Sequence, residues 1–294
     1  MRQPPLDRFV RLVSWGSTLL LLASVATVIG FLLIKGYSSL SLKLVFGDTP
    51  PMEALLLRRP VFGGLFPAMV GTFSLVVLAI TLAVPLGLAA GIYMAEYGRG
   101  RIQRALGLFF DILAGVPSIV VGLFGFSVAV FLHRHFGGRI YPCLLISALS
   151  LAFLVLPYLI RTTQNALEAL PEAVRLTAPA LGATRLQNIC FVLLPRALPG
   201  ILSGVILAIG RCAEDTAVIM LTGVVATAGL PRSLFSSYEA LPFYIYYISS
   251  QYRDPEELAT GYAAALILLA ICAMLFAAAA LIQQRLGARL HQRL

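Results

Sequence analysis

The sequence predicts an all-α integral membrane protein with six transmembrane helices, and three observations carry that prediction. First, 59% of the 294 residues are hydrophobic and 12% are charged. That is about half the charged share of a soluble domain, so the chain cannot cover itself with a polar surface. Second, six apolar runs each come close to the roughly 20 residues that cross a bilayer. Third, basic residues collect at the ends of these runs, which is the orientation signal of membrane proteins.

The first two apolar runs set the orientation. The run over residues 12–34 follows the basic start MRQPPLDRFVR. It continues well past Ala26, where a signal-peptide cleavage site could lie, so we expect an uncleaved span with a cytoplasmic N-terminus. Residues 36–63 fit an external loop with a short interfacial helix, which makes 1–63 an N-terminal segment. The second run, residues 65–93, ends at the basic loop EYGRGRIQR, which the charge rule places in the cytoplasm.

The third apolar run, residues 106–132, contains Asp111, Pro117 and several glycines. Proline removes a backbone donor and kinks a helix, and glycines let a neighbouring helix approach closely. We therefore expect one kinked span at a pore or at a packing seam. Asp111 lies about two turns in from the cytoplasmic end, at about 1.5 Å per residue. Two interpretations stay open for it: a favourable contact with the dipole at the helix N-terminus, or a place in a translocation path.

The rest of the chain supplies three more spans. The fourth run covers residues 143–160, the fifth 198–225 and the sixth 258–282. Residues 161–196 are polar and helix-prone; we name them the polar hairpin and expect them in the cytoplasm. Residues 226–257 form an external loop, and 286–294 form a basic cytoplasmic tail. Residues 64–285 are then one membrane core.

Within the polar hairpin, Pro171 marks a turn, and Pro179 and Gly182 interrupt the next helical stretch. Two short helices joined by a bend are therefore expected. Arg175 and Arg185 are polar positions among leucines. A short amphipathic helix outside the bilayer buries its apolar face either on lipid headgroups or in the groove of a partner. The pattern leaves both open.

Three charged residues, Arg211, Glu214 and Asp215, lie roughly half-way along the fifth apolar run. Each costs about 2.5–3.5 kcal/mol at the centre of a membrane helix on insertion scales, so the three must pair or face water. Positions i, i+3 and i+4 share one helix face, and either acid can reach the arginine. One interpretation is an ion pair that fixes helix packing. The other is a guanidinium that transiently binds a tetrahedral oxyanion, with the acids holding the arginine and preventing the anion from being trapped.

Missing motifs exclude several function classes. The sequence has no GxxxxGK[ST], and its only lysines are Lys35 and Lys43, so it cannot bind ATP by that route. His133 and His135 have no third ligand candidate nearby and fit a solvated turn better than a zinc site. The four cysteines lack metal-ligand spacing, and no basic patch with exposed aromatics indicates nucleic acid. We expect a channel-forming subunit without catalytic residues or a metal site, rather than an enzyme.

A family resemblance rests on several separate blocks. The pattern G-x9-[IV]-x-LP, present at Gly182, Val192, Leu194 and Pro195, resembles the cytoplasmic signature of ATP-binding-cassette importer permeases. The blocks LPYLIRTTQNALEALPEAVRLTAPALGAT, GIYMAEYGRGRIQ and AGVPSIVVGLFGF are similar to phosphate-importer permeases of the PstA type. LPFYIYYISSQY before the last span favours that type over the partner permease, PstC. The resemblance covers most of residues 66–282.

The resemblance implies a type I (MetI-like) importer permease fold and a subunit of an ATP-driven importer for inorganic phosphate. It implies an inner membrane, a second permease of the PstC type, an ATPase dimer of the PstB type and an extracellular binding protein of the PstS type. ATP and magnesium would bind the ATPase subunits, and no cofactor would bind this chain. In the family the polar hairpin forms a coupling helix that docks on the ATPase. The positions it assigns to coupling are Glu172, Ala173, Arg175, Leu176, Ala178, Gly182, Ala183, Leu194 and Pro195.

The chain departs from the family pattern at two places. Leu176 stands where the coupling signature has a glutamate. The fifth-span motif resembles R-x-x-G-E-T-A-P; Arg211 and Thr216 match it, whereas Glu214 replaces the glycine and Asp215 the glutamate. The residues expected on the substrate path are Arg211, Glu214, Asp215, Thr216 and Asp111. Alternatives are a permease for tungstate or molybdate, the PstC-type subunit, a secondary transporter using these charges as a relay, and a non-transporting scaffold.

Overall fold

The structure is a computed structural model that describes residues 5–56, 59, 61, 63–137 and 141–291. In those residues the architecture is helical, apart from one isolated bridge between Val224 and Tyr238. The α-helices are α1 Pro5–Gly36, α2 Leu42–Phe46, α3 Pro51–Leu55, α4 Phe66–Ile92, α5 Gly100–Ala114, α6 Ser118–His135, α7 Leu144–Glu168, α8 Glu172–Ala180, α9 Arg185–Asn188, α10 Leu194–Glu214, α11 Ala217–Thr222, α12 Leu241–Gln251 and α13 Pro255–His291. A single π-helical turn, Tyr93–Tyr97, follows α4, and another, Ile189–Leu193, precedes α10.

In the part of the chain that the structure describes, six helical stretches are long and apolar enough to cross a membrane, which confirms the predicted number of spans. They are Phe9–Ser39, Phe66–Tyr97, Ser118–His135, Leu144–Glu168, Arg185–Glu214 and Pro255–Leu286. The expected loop over residues 36–63 carries two short helices, α2 and α3, instead of one.

The third span was predicted wrongly as one kinked helix. The structure ends α5 at Ala114 and starts α6 at Ser118, with Pro117 in an extended conformation (φ −57°, ψ 137°) between them. Proline has no N–H to donate, so a helix that meets it within an apolar run can end there as well as bend. Asp111 consequently lies in α5 and outside the apolar stretch that begins at Ser118.

Three other span boundaries also differ from the prediction. α7 continues through residues 161–168, so the first part of the polar hairpin extends the fourth span. α10 ends at Glu214, and Asp215 is extended (φ −73°, ψ 121°) before α11 begins. The charged residues predicted half-way along the fifth span therefore lie at a helix break. α13 runs without interruption to His291, past residue 285 where the tail was expected to begin.

The core is built where α4 packs against α7. Gly87 and Gly91 of α4 let the two backbones approach, since a Cβ at Gly91 would lie 2.5 Å from the Cβ of Thr163 and 2.8 Å from the carbonyl oxygen of Ile160. α10 joins through Gly204, which faces Thr162 in the same way. α1, by contrast, is exposed along most of its length and packs on α13, with Gly36 buried against Tyr262 and Leu266.

The segment 223–240 closes one end of this core. Its carbonyl groups at Leu234 and Ser236 accept the N–H groups of Leu145 (2.9 Å) and Leu144 (3.1 Å), which satisfies the first turn of α7. The carboxylate of Glu239 accepts the N–H groups of Ala228 (2.8 Å) and Gly229 (2.7 Å). Burial raises the pKa of Glu239, although these two hydrogen bonds oppose the shift. The segment is thus bound to the start of α7 by backbone hydrogen bonds and closed on itself by the side chain of Glu239.

Replacing Gly91 with alanine should destabilise the protein by about 1–3 kcal/mol, because the new methyl group overpacks the contact between α4 and α7. The matched control is Gly30→Ala in α1, where nothing lies within 4 Å of the added Cβ. Thermal unfolding of the purified chain in detergent measures both. Equal unfolding temperatures for the two variants would contradict the close packing of α4 against α7 at Gly91.

Candidate functional site

The charged cluster lies where α10 ends and α11 begins. Nη1 of Arg211 is 3.2 Å from Oε1 of Glu214, and Nη2 is 3.8 Å from Oδ2 of Asp215. Both acids therefore reach the arginine, as the i, i+3 and i+4 spacing predicted. One guanidinium faces two carboxylates, so the cluster is net negative if all three groups are ionised.

Asp215 has a structural task in addition to its contact with Arg211. Its side chain is 3% exposed, and Oδ1 accepts the backbone N–H of Val218 at 2.8 Å. The carboxylate thus caps the first turn of α11, whose N–H groups have no partner within the helix. This capping explains why an apolar run breaks here, and it makes Asp215 part of the fold as well as of the cluster.

Arg211 and Glu214 are much more open. Their side chains are 41% and 65% exposed. The Nε of Arg211 is buried and has no hydrogen-bond partner among the described residues, whereas its Nη atoms lie toward Glu214 and Asp215. Thr216, the next predicted path residue, is half-buried beside them. The cluster is therefore an accessible cation with one buried, fixed acid and one open acid, and not a sealed ion pair.

The structure places Asp111 elsewhere. Its carboxylate binds Arg161 of α7, with Nε to Oδ1 at 2.9 Å and Nη2 to Oδ2 at 2.7 Å. Arg161 also donates to the carbonyl of Gly107 (2.7 Å) and to the side chain of Gln164 (3.0 Å). Asp111 thus ties α5 to α7 and does not contact the cluster on α10. Arg161 was not predicted, because in the sequence it is an ordinary basic residue at the end of an apolar run.

The polar hairpin has the predicted form of two short helices with a bend between them. α8 ends at Ala180, and Gly182 in the bend has φ +85°, a conformation that side-chain-bearing residues rarely adopt. The side chain of Thr184 and that of Gln187 cap α9 reciprocally. This geometry explains the glycine of the G-x9-[IV]-x-LP pattern.

The hairpin exposes apolar side chains. Leu181 is 85% exposed, and Leu176, Leu186 and Phe191 are also mainly exposed. Of the other predicted coupling positions, Glu172 and Ala173 are exposed, whereas Ala178, Ala183, Leu194 and Pro195 are half-buried. Leu194 and Pro195 start α10. Phe191 was not predicted, although its apolar side chain in a polar segment could have indicated it.

Arg175 holds the hairpin in place and is not a free surface residue. Its Nη1 is 2.6 Å from Oε1 of Glu96, whose side chain is 9% exposed, and its Nη2 donates to the carbonyl of Leu167. The side chain of Asn188 donates to the carbonyl of Arg175 (2.9 Å). Nearby, the guanidinium of Arg185 lies 4.9 Å from the ring centroid of Tyr97. The hairpin is thus tied to the π-helical turn after α4, a contact the sequence did not indicate.

Comparison with known proteins shows the family of the chain. Residues 87–288 match the family described as binding-protein-dependent transport system inner membrane component. The chain belongs to this family. Among its relatives are phosphate transport system permease proteins PstA of Haemophilus influenzae, 35% identical with 83% of each chain covered, and of Pasteurella multocida, 31% identical with 84% of each chain covered. PstA 1 of Mycobacterium tuberculosis H37Rv is 35% identical over 75% of this chain and 70% of the relative.

Solved structures of more distant transporters share the fold. A bacterial alginate ABC transporter, in complex with an alginate-pentasaccharide-bound periplasmic protein, is 14% identical with a TM-score of 0.66 and covers 96% of each chain. The MetNI methionine ABC transporter in an inward-facing conformation is 19% identical with a TM-score of 0.55, over 81% of this chain and 99% of the other. These matches confirm the type I importer permease fold for this family member.

In this family member, exchange of Arg175 for glutamine should loosen the polar hairpin. The change leaves the buried carboxylate of Glu96 without its cation, at a local cost of about 2 kcal/mol, below the roughly 3–5 kcal/mol of a fully buried pair. Hydrogen–deuterium exchange over residues 172–188 should then be faster. Arg196→Gln, an exposed change at the start of α10, is the control, and unchanged exchange in Arg175→Gln would refute the anchoring role.

Proposed function

We propose that this chain is the PstA-type permease subunit of an ATP-driven importer for inorganic phosphate, and that it forms the translocation path with a PstC-type permease. The observation that carries the proposal is the accessible Arg211 at the α10–α11 break, in a chain that is 31–35% identical to PstA permeases over most of its length. A multi-pass inner-membrane protein of this family needs such a polar point along its spans if it is to pass an anion.

The chemistry of the site suits a tetrahedral oxyanion. A guanidinium presents a planar fork of donors that matches two oxygens of such an anion, and charge-assisted hydrogen bonds of this kind are stronger than neutral ones. The Arg211 side chain that would make this contact is 41% exposed. Thr216, half-buried and next to Asp215 in the chain, carries a hydroxyl that is a further candidate donor. Tungstate and molybdate share the same geometry; the PstA relatives favour phosphate.

Energy enters through the polar hairpin. A PstB-type ATPase dimer, which binds ATP and magnesium, would receive the exposed side chains of Leu176, Leu181 and Leu186 in a groove, and this chain would bind neither cofactor. Displacement of the hairpin would pass through the pair of Arg175 and Glu96 to α4. ATP binding can drive the transition only if the ATPase dimer binds one state of the hairpin more tightly than the other.

The orientation follows from this assignment. Both termini and the polar hairpin face the cytoplasm, where ATP is available, and the charge distribution agrees. The external segment 223–257 then faces a PstS-type binding protein that delivers phosphate. Within this arrangement the chain has no catalytic residue of its own, because ATP hydrolysis takes place on the partner ATPase.

Arg211→Gln should abolish most of the phosphate transport of the complete complex in liposomes, by about ten-fold or more. Losing a hydrogen bond to a charged group costs about 1.5–3 kcal/mol. The control is Arg11→Gln in the exposed helix α1, which should transport normally. Because Arg211→Gln also leaves the buried carboxylate of Asp215 without its cation, transport is expressed per amount of folded complex for both variants. Full transport by Arg211→Gln would contradict the placement of Arg211 on the phosphate translocation path. Phosphate flux through this chain in the absence of the ATPase would show instead that the chain works as a secondary transporter.

Leu181→Asp should weaken association with the ATPase at least ten-fold. A leucine that becomes buried contributes about 1.5–3 kcal/mol, and a carboxylate in its place adds a desolvation cost. The effect is measured as the amount of the PstB-type ATPase that co-purifies with each variant. Leu42→Asp in α2, also an exposed leucine but on the external side, is the control. Equal recovery of ATPase with both variants would contradict docking at the hairpin.

A further inference from the structure

The two acids beside Arg211 are not equivalent. Asp215 is buried and uses Oδ1 to cap α11, so it cannot leave without disturbing the fold. Glu214 is 65% exposed, and Arg211 is its hydrogen-bond partner in the described part of the chain. Glu214 is also the nearer of the two, at 3.2 Å against 3.8 Å. One acid is fixed and the other is free to move.

Helix stability does not account for Glu214. It is the last residue of α10, where the negative end of the helix dipole disfavours an anion. The pair also has the arginine N-terminal to the acid, the less favourable order for two charges on a helix face. A carboxylate placed here adds little to the fold, yet it occupies the Nη1 group of Arg211, a donor that an incoming anion would need.

We propose that Glu214 is a built-in competitor of the transported anion. Its carboxylate holds the Nη1 group of Arg211 while the path is empty and moves away, through the accessible side, when the oxyanion binds. On release of the anion the carboxylate returns, so that the anion is not retained. This inference rests on the proposed function, since it requires Arg211 to bind the anion.

The size of the effect follows from mass action. An exposed ion pair is worth about 0.2–1 kcal/mol, which corresponds to a pairing constant of roughly 1.4 to 5. A tethered competitor of that strength raises the apparent Kd of the anion by a factor equal to one plus this pairing constant. Replacing Glu214 with glutamine should therefore tighten phosphate binding by about two- to six-fold, with Asp215 still in place to hold the arginine.

The test is equilibrium binding of radiolabelled phosphate to the purified permease–ATPase complex in nanodiscs, with the binding protein left out. Glu214→Gln should bind two- to six-fold more tightly than the unmodified complex, with no fall in unfolding temperature. The control is Glu256→Gln at the exposed start of α13, which removes the same charge far along the chain and should leave binding unchanged. In the Arg211→Lys background, where the planar fork is absent, the gain from Glu214→Gln should shrink.

Binding that is the same in Glu214→Gln and in the unmodified complex, including no detectable binding in either, would overturn the competitor role. So would a lower unfolding temperature of Glu214→Gln with unchanged affinity, because that is the mark of a packing role. These failures differ from failure of the proposed function, which would show as a lack of ATP-dependent phosphate transport by the unmodified complex with its binding protein in liposomes.

Discussion

The structure depends on one constraint: within lipid, each backbone N–H and C=O needs a partner inside the protein. A helix satisfies this along its length but not at its ends, and the core contains helix ends that must be provided for. The N–H groups of Leu144 and Leu145 at the start of α7 bind carbonyls of the segment 223–240. At the start of α11 the carboxylate of Asp215 accepts the N–H of Val218. Helices can therefore begin and end inside the apolar region because backbone carbonyls and a side-chain carboxylate accept the N–H groups that the helix ends leave unpaired.

The break at Asp215 connects the constraint to function. A capping carboxylate in this position is an anion in an apolar region, and Arg211, one turn earlier, compensates for it. Because α10 stops there, the guanidinium is not enclosed by a continuing helix, and its side chain remains 41% exposed. The same local geometry thus interrupts the helix and provides an accessible cation.

How far the sequence could predict the structure depends on the range of the interactions. The number of spans and the two helices of the polar hairpin follow from apolar run lengths and from proline and glycine positions, which are local. The break at Asp215 could not be predicted, because the apolar run continues past it. The pairs Asp111–Arg161 and Glu96–Arg175 join residues distant in sequence, and no pattern within one segment indicates them. The contact of both acids with Arg211 was predictable, since it lies within one helical turn.

The polar hairpin could bury its apolar side chains on lipid headgroups or in a protein groove, and the structure favours the groove. A helix lying on lipid directs its basic residues outward to the headgroups. Arg175 instead turns inward to the nearly buried Glu96, and Arg185 lies over Tyr97. The exposed leucines are therefore presented on a support that is tied to α4. A helix that only lies on headgroups does not need to be anchored to a span. Anchoring is needed if a displacement of Leu181 by a protein partner is to be transmitted to the transmembrane helix α4.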